Sequence, residues 1–286
     1  MSLVCPACES TRGHRFVESH GSYKVFRCAG CTVEFAWPMD STLDKGSIAR
    51  VYESRTEFVG QYIGWFHREF LKHMPSPPGA LLDVGCGTGD FVELASRNGY
   101  KATGIDPDQT AIESGKAFHG DVPLFCTTAA DFFRRNDSRH DVITFFEVLE
   151  HLENPQGFLQ EVRRHLVYRG HIALSVPNND SPMIRLYRKA TRVIDYPPHH
   201  LTRWSKKALR RLLEAGGFEI VQMVSLEPSV TDIIPDACRI RLSMLRPMGR
   251  ARVAAFLRIL ANPMDRLVSI AVKEGRGMFV LARATS

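Results

Sequence analysis

Strand-like and helix-like segments alternate along the chain after Gly79, and this alternation constrains the fold more than any other feature of the sequence. Short apolar runs are each followed by a longer segment with apolar residues at helical spacing. Five predicted strands separated by four predicted helices indicate a parallel sheet covered by helices on both faces. In such a sheet, ligands bind at the carboxyl ends of the strands, beside the point where the strand order reverses.

A glycine-rich turn follows the first predicted strand, in the sequence LLDVGCGTGDF at residues 81–91. Closely spaced glycines let the backbone turn tightly and approach a ligand at a helix N-terminus. The turn is not the dinucleotide fingerprint, which requires a third glycine where this chain has Asp90. Asp83, at the end of the strand, would repel a pyrophosphate, so we expect a cationic or zwitterionic ligand.

The second predicted strand ends in an acidic residue, Asp106, within the sequence GIDPD and 17 residues after Gly89. A carboxylate at this place can accept hydrogen bonds from both hydroxyls of a ribose. The alternative role for Asp106 is a helix N-cap, for which Asp108 is the better candidate. The glycine turn and the acidic strand end, in this order, indicate a nucleoside-containing ligand.

With these motifs, residues 78–286 resemble the class I S-adenosylmethionine-dependent methyltransferases. LLDVGCGTGDF is similar to the family's glycine motif and GIDPD to its acidic motif. AADFF and FFEVLEHLENP are similar to the motifs that follow the third strand and end the fourth. The resemblance implies an α/β Rossmann-like fold with a mostly parallel seven-stranded sheet, in which the last strand is antiparallel.

The resemblance also implies which residues bind S-adenosylmethionine. The glycine turn would wrap the methionine half of the cofactor, and the acidic strand end would bind the ribose. Asp131 would bond the adenine amino group beside Phe132, and Phe146 and Glu147 would border the methionyl group. The implied cofactor-binding residues are Asp83, Gly85, Cys86, Gly87, Gly89, Asp106, Pro107, Asp131, Phe132, Phe146 and Glu147.

Two Cys-x-x-Cys pairs near the N-terminus, Cys5 with Cys8 and Cys28 with Cys31, are separated by 19 residues. This spacing is typical of a zinc site with four thiolate ligands. Each pair is expected to form a tight turn, and Gly30 can relax the second one. A module of this size has too small a core to fold alone, so we expect a zinc-ribbon-like module with a structural Zn²⁺. Buried free thiols and a redox pair are the alternatives.

These segments predict three parts: the zinc-ribbon-like module at 1–40, a helical linker or lid at 41–77, and the methyltransferase domain at 78–286. The linker carries an aromatic stripe that either packs on the main domain or covers a ligand. A helical insertion at about 227–274 interrupts the last strand pair. It is expected to cover the substrate, to form an oligomer contact or to touch a membrane surface.

Two histidines, His199 and His200, follow a Pro-Pro segment late in the domain, and a third, His151, follows the fourth strand. Histidine titrates near neutral pH, so these three are the candidate catalytic bases that remove the acceptor's proton. A structural or surface role for the late pair is the alternative.

Glu147, Glu150 and His151 have the spacing of one helical face. Resemblance to quinone-biosynthesis O-methyltransferases and small-RNA 2′-O-methyltransferases implies a divalent ion such as Mg²⁺ on these three residues, with His199 or His200 completing the site. Many relatives share Leu-Glu-His without a metal, so helix capping and cofactor positioning remain the alternative.

The charge is uneven, with a formal net charge of +6 and nine Lys or Arg against one acid, Asp195, between Met183 and Arg211. A basic face can bind a phosphorylated or nucleotide-linked sugar, an acyl carrier protein, a nucleic acid or an anionic lipid, or can simply be solvated. The leading prediction is methyl transfer to a small-molecule or sugar-type acceptor. A metal-assisted RNA 2′-O-methyltransferase and a non-catalytic cofactor-binding scaffold are the alternatives.

The first ten residues, MSLVCPACES, lack the basic start and apolar core of a signal peptide. The most apolar late segment, Val253 to Val272, is interrupted by Arg258, Pro263, Asp265 and Arg266 and so does not resemble a transmembrane helix. We therefore expect a cytoplasmic protein, with peripheral membrane contact left open.

Overall fold

The computed structural model describes residues 3–41, 59–60, 62–74, 79–182, 184, 188, 195–227 and 274–285. The expectations for most of the insertion and for the first part of the linker lie outside these described residues.

The main sheet has seven strands in the order β10-β11-β8-β7-β4-β5-β6. Neighbouring strands from β4 to β8 pair in parallel, whereas β11 pairs antiparallel with both β8 and β10. This arrangement confirms the predicted fold class. The strands are β4 (Ala80–Val84), β5 (Lys101–Asp106), β6 (Leu124–Cys126), β7 (His140–Phe146), β8 (Leu166–Pro177), β10 (Phe218–Ser225) and β11 (Gly277–Ala284).

The helices that pack around the sheet begin at polar capping residues where the sequence allows. Asp108, Thr128, Asn154 and Ser205 each accept a hydrogen bond from a backbone N–H of the first turn, as N-caps do. Within the described part of the chain, none of the helices has the length and apolar character needed to cross a bilayer. The helices are α1 (Trp65–His73), α2 (Asp90–Arg97), α3 (Gln109–His119), α4 (Ala129–Arg135), α5 (Pro155–Arg164) and α6 (Lys206–Ala215).

A second, four-stranded antiparallel sheet is built mostly from the N-terminal module, with the order β1-β2-β3-β9. Its strands are β1 (His14–His20), β2 (Tyr23–Cys28), β3 (Glu34–Trp37) and β9 (Thr202–Arg203). The two-residue strand β9 comes from the main domain and pairs with β3, so the module and the main domain share one sheet.

The hydrophobic core is continuous between the two parts. Cys5 and Phe35 of the module belong to the same buried cluster as Trp204 and Leu209 of the main domain. A second cluster lies where α1 packs, with Phe66 and Phe70 against the sheet. The module is therefore built into the core of the chain.

Candidate active site and metal centre

The glycine turn between β4 and α2 has a left-handed backbone at Gly85, Gly87 and Gly89, with φ values of 76°, 55° and 80°. Residues other than glycine rarely adopt these backbone angles. A Cβ on Gly85 would lie 2.5 Å from Cγ2 of Val148, so this glycine also permits a close approach to the segment after β7. A Cβ on Gly87 would meet no atom within 4 Å among the described residues, which leaves space beside the turn for a ligand.

Asp106 closes the turn from the end of β5. One carboxylate oxygen accepts the N–H of Gly87 at 2.9 Å, and the other accepts the N–H of Asp108 at 2.8 Å. The carboxylate therefore ties the glycine turn to the end of β5, where the sequence predicts that the ribose binds. Asp108 accepts the N–H of Thr110 at 2.9 Å, which confirms the predicted N-cap role for Asp108.

Asp83 lies buried beneath the same turn. Its carboxylate accepts the hydroxyl of Thr144 at 2.6 Å. Burial, followed by the negative charge of Asp106, raises the pKa of Asp83 to about 7, although the bond from Thr144 opposes the shift. Burial and the two carboxylates also raise the pKa of the Cys86 thiol. A cationic group on a bound ligand would favour the ionised form of Asp83.

Phe146 is the last residue of β7, and Glu147 follows it, beside the glycine turn. Phe146 packs among aromatic rings, with its centroid 5.1 Å from those of both Phe66 and Phe91. Glu147 has a left-handed backbone with a φ of 53°, and its carboxylate accepts the hydroxyl of Ser175 at 2.7 Å. The unusual backbone angle turns the chain sharply after the strand and toward the glycine turn.

The other expected cofactor residues flank this centre. Asp131 lies in the first turn of α4, where it accepts the hydroxyl of Thr128 at 2.9 Å and pairs with Arg134. Phe132 is half-buried and Pro107 is exposed. Their roles toward a cofactor stay predictions.

The three candidate bases, from two distant stretches of sequence, come together in one cluster. The rings of His199 and His200 stack with centroids 4.6 Å apart, and the ring of His151 lies 4.7 and 4.8 Å from them. His151 Nδ1 lies 2.5 Å from the carbonyl oxygen of His199. His200 Nδ1 lies 2.9 Å from a carboxylate oxygen of Asp195. We call these three residues the histidine cluster.

The helical face predicted for Glu147, Glu150 and His151 is wrong. Glu147 turns left-handed before any helix begins, and only one 3₁₀ turn, Leu149–His151, follows. Glu150 is buried, and its carbonyl accepts the N–H of Leu201. Instead, His151 groups with His199 and His200, whose ligand atoms all lie within 4.8 Å of one another.

The residues around Asp195 were missed by the sequence reasoning. Asp195 Oδ2 accepts the guanidinium of Arg188 at 2.5 Å, and its backbone carbonyl accepts two bonds from Arg203. Burial alone would raise the pKa of Asp195, but the bond with His200 and the charges of both arginines lower it to about 2. The signal in the sequence was the isolation of this one acid in a basic stretch. Part of that basic stretch therefore forms buried ion pairs and is not a solvated face.

The four N-terminal cysteines also come together. Sγ of Cys5 lies 3.5 Å from that of Cys31, and Sγ of Cys8 lies 3.6 Å from that of Cys28. Tetrahedral thiolates at the usual zinc–sulfur distance are ~3.8 Å apart, so the spacing fits Zn²⁺. The hydrogen bond shared by Cys5 and Cys31 lowers the pKa of Cys31 and raises that of Cys5, so the metal-free pair favours one thiolate and one thiol.

The two cysteine turns have matching geometry. In each turn, the N–H of the residue after the second cysteine donates to the carbonyl of the first, from Glu9 to Cys5 and from Thr32 to Cys28. Glu9 and Thr32 have left-handed φ values of 57° and 72°, whereas Gly30 does not. The expected relaxation at Gly30 is therefore wrong, and each turn is closed one residue beyond its second cysteine.

Comparisons with known proteins agree with this geometry. A family model described as "Methyltransferase domain" matches residues 55–223, more than half of the chain. A ubiquinone biosynthesis O-methyltransferase of Rickettsia typhi is 27% identical over 135 residues, covering 46% of this chain and 52% of the relative. The chain thus spans about half the length of this curated relative.

Solved structures share the fold. A SAM-dependent methyltransferase from Archaeoglobus fulgidus has a TM-score of 0.56 at 18% identity, over 82% of this chain and 99% of its own. The N-methyltransferase NodS from Bradyrhizobium japonicum, solved with S-adenosyl-L-homocysteine, has a TM-score of 0.52 at 14% identity, over 83% and 98%. At these identities the likeness concerns the fold alone.

Proposed function

The chain belongs to the class I S-adenosylmethionine-dependent methyltransferases, and from that premise we propose that it methylates a hydroxyl oxygen of a small-molecule or sugar-type acceptor. The observation that carries this proposal is the histidine cluster at the carboxyl end of the sheet, because a buried imidazole there can take the hydroxyl proton. The oxygen nucleophile also accords with the name of the curated relative, an O-methyltransferase.

The residues present fit the cofactor. Bound S-adenosylmethionine supplies an electrophilic methyl group on a positively charged sulfur. Asp106, at the end of β5 beside the glycine turn, would accept hydrogen bonds from the ribose hydroxyls. The left-handed glycine turn lets the backbone approach the methionyl group, and Asp83 provides a negative charge below it.

The histidine cluster would remove the proton during an in-line displacement. S-adenosylmethionine, held by Asp106 and the glycine turn, would supply the methyl group to the acceptor oxygen, and the neutral sulfide would be the leaving group. The hydroxyl proton passes to an imidazole nitrogen, for which His200 Nε2 is best placed because Nδ1 faces Asp195. Reacting atoms must be held within about 3–3.5 Å in line, which is the task of the surrounding loops.

A metal-assisted RNA 2′-O-methyltransferase is a second candidate function. Three grouped imidazoles favour it, since their ligand atoms lie close enough to bind one ion. An imidazole set suits a transition metal such as Zn²⁺ or Fe²⁺ better than Mg²⁺, which prefers oxygen ligands. The Mg²⁺ site on Glu147, Glu150 and His151 remains a weaker proposal, because Glu147 already accepts a hydrogen bond from Ser175. Burial of Arg188 and Arg203 in ion pairs reduces the basic surface that could bind RNA.

The four cysteines are proposed to bind a structural Zn²⁺. The paired sulfur distances and matching turns support this assignment. Four thiolates leave no open position on the ion, so it would stabilise the module without taking part in the chemistry. A cytoplasmic location and a phosphorylated or nucleotide-linked acceptor are further predictions that follow from the sequence.

The test is transfer of labelled methyl from S-adenosylmethionine into fractionated host extract, with and without ribonuclease and protease. Label in a small-molecule or glycan fraction that resists both enzymes is the expected result. Label lost with ribonuclease would overturn the small-molecule proposal in favour of RNA. Cofactor binding without transfer to any fraction would favour the non-catalytic scaffold.

A further inference from the structure

A buried network of charged side chains connects the N-terminal sheet with the histidine cluster. Arg203, on β9, is almost fully buried. Its Nη1 atom lies 2.6 Å from a carboxylate oxygen of Glu18 and 3.3 Å from one of Glu34, which are on β1 and β3. Its Nε and Nη2 atoms donate to the carbonyl oxygen of Asp195 at 3.1 and 2.9 Å. One guanidinium thus holds the module and the Asp195 segment together.

Asp195 is fixed from its carboxylate as well. One oxygen accepts Arg188 Nε at 2.5 Å, and the other lies 2.9 Å from His200 Nδ1. Arg188 in turn donates to the side-chain carbonyl of Asn179 at 2.9 Å. Each carboxylate oxygen of Asp195 is therefore held by a buried side chain.

This arrangement determines how His200 is presented. A carboxylate accepts hydrogen bonds and does not donate them, so Nδ1 of His200 carries the hydrogen and Nε2 keeps its lone pair. The stacked ring of His199 and the edge-on ring of His151 both pack against the imidazole of His200 and limit its rotation. His200 is held as a base with one defined nitrogen available.

The charges of the network also suit a proton acceptor. Among the described residues of the network, Glu18, Glu34 and Asp195 bring three negative charges, and Arg188 and Arg203 bring two positive ones. The carboxylate of Asp195, which contacts His200, would offset the positive charge that a proton brings to an imidazole. A buried carboxylate next to a catalytic imidazole stabilises the imidazolium in the same way.

We propose that Asp195 is a positioning residue for His200, and that the N-terminal module, through Glu34 and Arg203, forms part of the catalytic apparatus by holding Asp195 in place. The inference rests on the proposed function only for the role of His200 as the base. It gives the module a task beyond stability, because its sheet supplies the carboxylates that anchor Arg203.

The tautomer of His200 tests this inference without knowledge of the acceptor. The full chain, expressed with zinc and ¹⁵N-labelled histidine, is examined by long-range ¹H–¹⁵N correlation, and His200→Gln identifies the signal. The expected wild-type state is the Nδ1–H tautomer. An Nε2–H tautomer in the wild type would overturn the proposal even if every variant failed to fold.

Three variants examine the connections. Asp195→Asn is expected to shift His200 toward the Nε2–H tautomer, because an amide can donate to Nδ1, while S-adenosylhomocysteine affinity stays within about 2-fold. Arg203→Lys keeps the charge but cannot bridge Glu34 and the Asp195 carbonyl together, so the His200 signal should shift or broaden. Asp180→Asn is the matched control, since Asp180 accepts the N–H of Lys206. Unchanged His200 signals in the first two variants would refute the connection.

The outcome is separable from the proposed function. The Nδ1–H tautomer together with no methyl transfer to any fraction would refute the transferase proposal and leave the positioning of His200 intact. Methyl transfer together with the Nε2–H tautomer would support the transferase proposal and refute the positioning of His200.

Discussion

The hydroxyl oxygens of Thr32 and Ser205 lie 2.6 Å apart, and this hydrogen bond joins a cysteine turn of the N-terminal module to the first turn of α6. Ser205 also accepts the N–H of Ala208 at 3.1 Å as the helix N-cap. One serine therefore begins a helix of the main domain and seats the metal module on it. Thr32 holds a left-handed backbone that a β-branched residue rarely adopts, which the surrounding turn must enforce.

Ser205→Ala is expected to destabilise the chain by about 2 kcal/mol, because it removes both the N-cap and the bond to Thr32. Asn154→Ala is the matched control, since it removes the N-cap of α5 and should cost about 1 kcal/mol. Urea unfolding measures both. A double-mutant cycle with Thr32→Val should show coupling with Ser205→Ala, whereas strictly additive effects would show that the hydroxyl pair contributes nothing.

Asp83→Asn is expected to stabilise the ligand-free protein at pH 8 and to have little effect near pH 4. The pKa of Asp83 is about 7 in the folded chain, above the ~3.9 of an unfolded aspartate. The unfolded state therefore loses this proton first, and wild-type stability falls as pH rises from about 4 to 7. The gain at pH 8 is about 4 kcal/mol, since each pKa unit corresponds to about 1.36 kcal/mol.

Urea unfolding of ligand-free protein at both pH values measures the effect of Asp83. Thr144→Val is the companion variant, because it removes the hydroxyl that favours the ionised carboxylate and should enlarge the loss at pH 8. If wild type and Asp83→Asn kept parallel pH profiles, the shifted carboxyl would not be Asp83. Asp83→Asn should also weaken S-adenosylmethionine binding, since the cationic ligand loses its buried counter-charge.

Asp106→Ala is expected to weaken S-adenosylhomocysteine binding at least about 10-fold, because a hydrogen bond to a charged group contributes about 1.5–3 kcal/mol. The loss also frees the N–H of Gly87, which the carboxylate holds in the turn. Asp108→Ala is the control, since it removes the N-cap of α3 and should lower stability by about 1 kcal/mol with affinity kept within about 3-fold. Calorimetric titration distinguishes them, and equal affinity losses would remove the special role of Asp106.

Local pattern was enough to predict the main sheet and the turn at its edge. The strands β4, β5 and β6 each begin or end next to a glycine or a proline, and β7 and β8 contain apolar runs, so their state is encoded within a few residues. The left-handed glycines and the cap at Asp108 follow from the same local rules. The geometry of the glycine turn was predictable for this reason, and its role toward the cofactor stays a prediction.

The surroundings of the histidine cluster were not predictable, because tertiary contacts define them. The strand β9 has two residues, and its pairing of Arg203 with Glu34 spans most of the chain. Helical spacing suggested one face for Glu147 and His151, yet the backbone at Glu147 turns left-handed, because the end of a strand and a bond to Ser175 override a helical pattern. Asp195 could be noticed as a lone acid, but nothing in its neighbours names His200 as its partner.

Zinc removal is expected to destabilise the whole chain and not the module alone. Wild type should hold one Zn²⁺ per chain on the four cysteines, and Cys28→Ser should lose it, because the serine hydroxyl does not replace a thiolate ligand. Cys126→Ser is the control, since Cys126 is exposed and lies outside the cluster. Metal analysis and scanning calorimetry, with and without a chelator, measure the two effects.

The physical reason for a global loss is the continuity between the parts. Cys28 and Cys31 belong to the same buried cluster as Trp204 and Leu209, and β3 pairs directly with β9. Without the ion, the thiolates repel and the module can no longer anchor Arg203, so a single transition should shift to lower temperature by several degrees. Two separate transitions, with the main one unmoved, would mean that the module unfolds alone and that the shared sheet does not couple it to the catalytic domain.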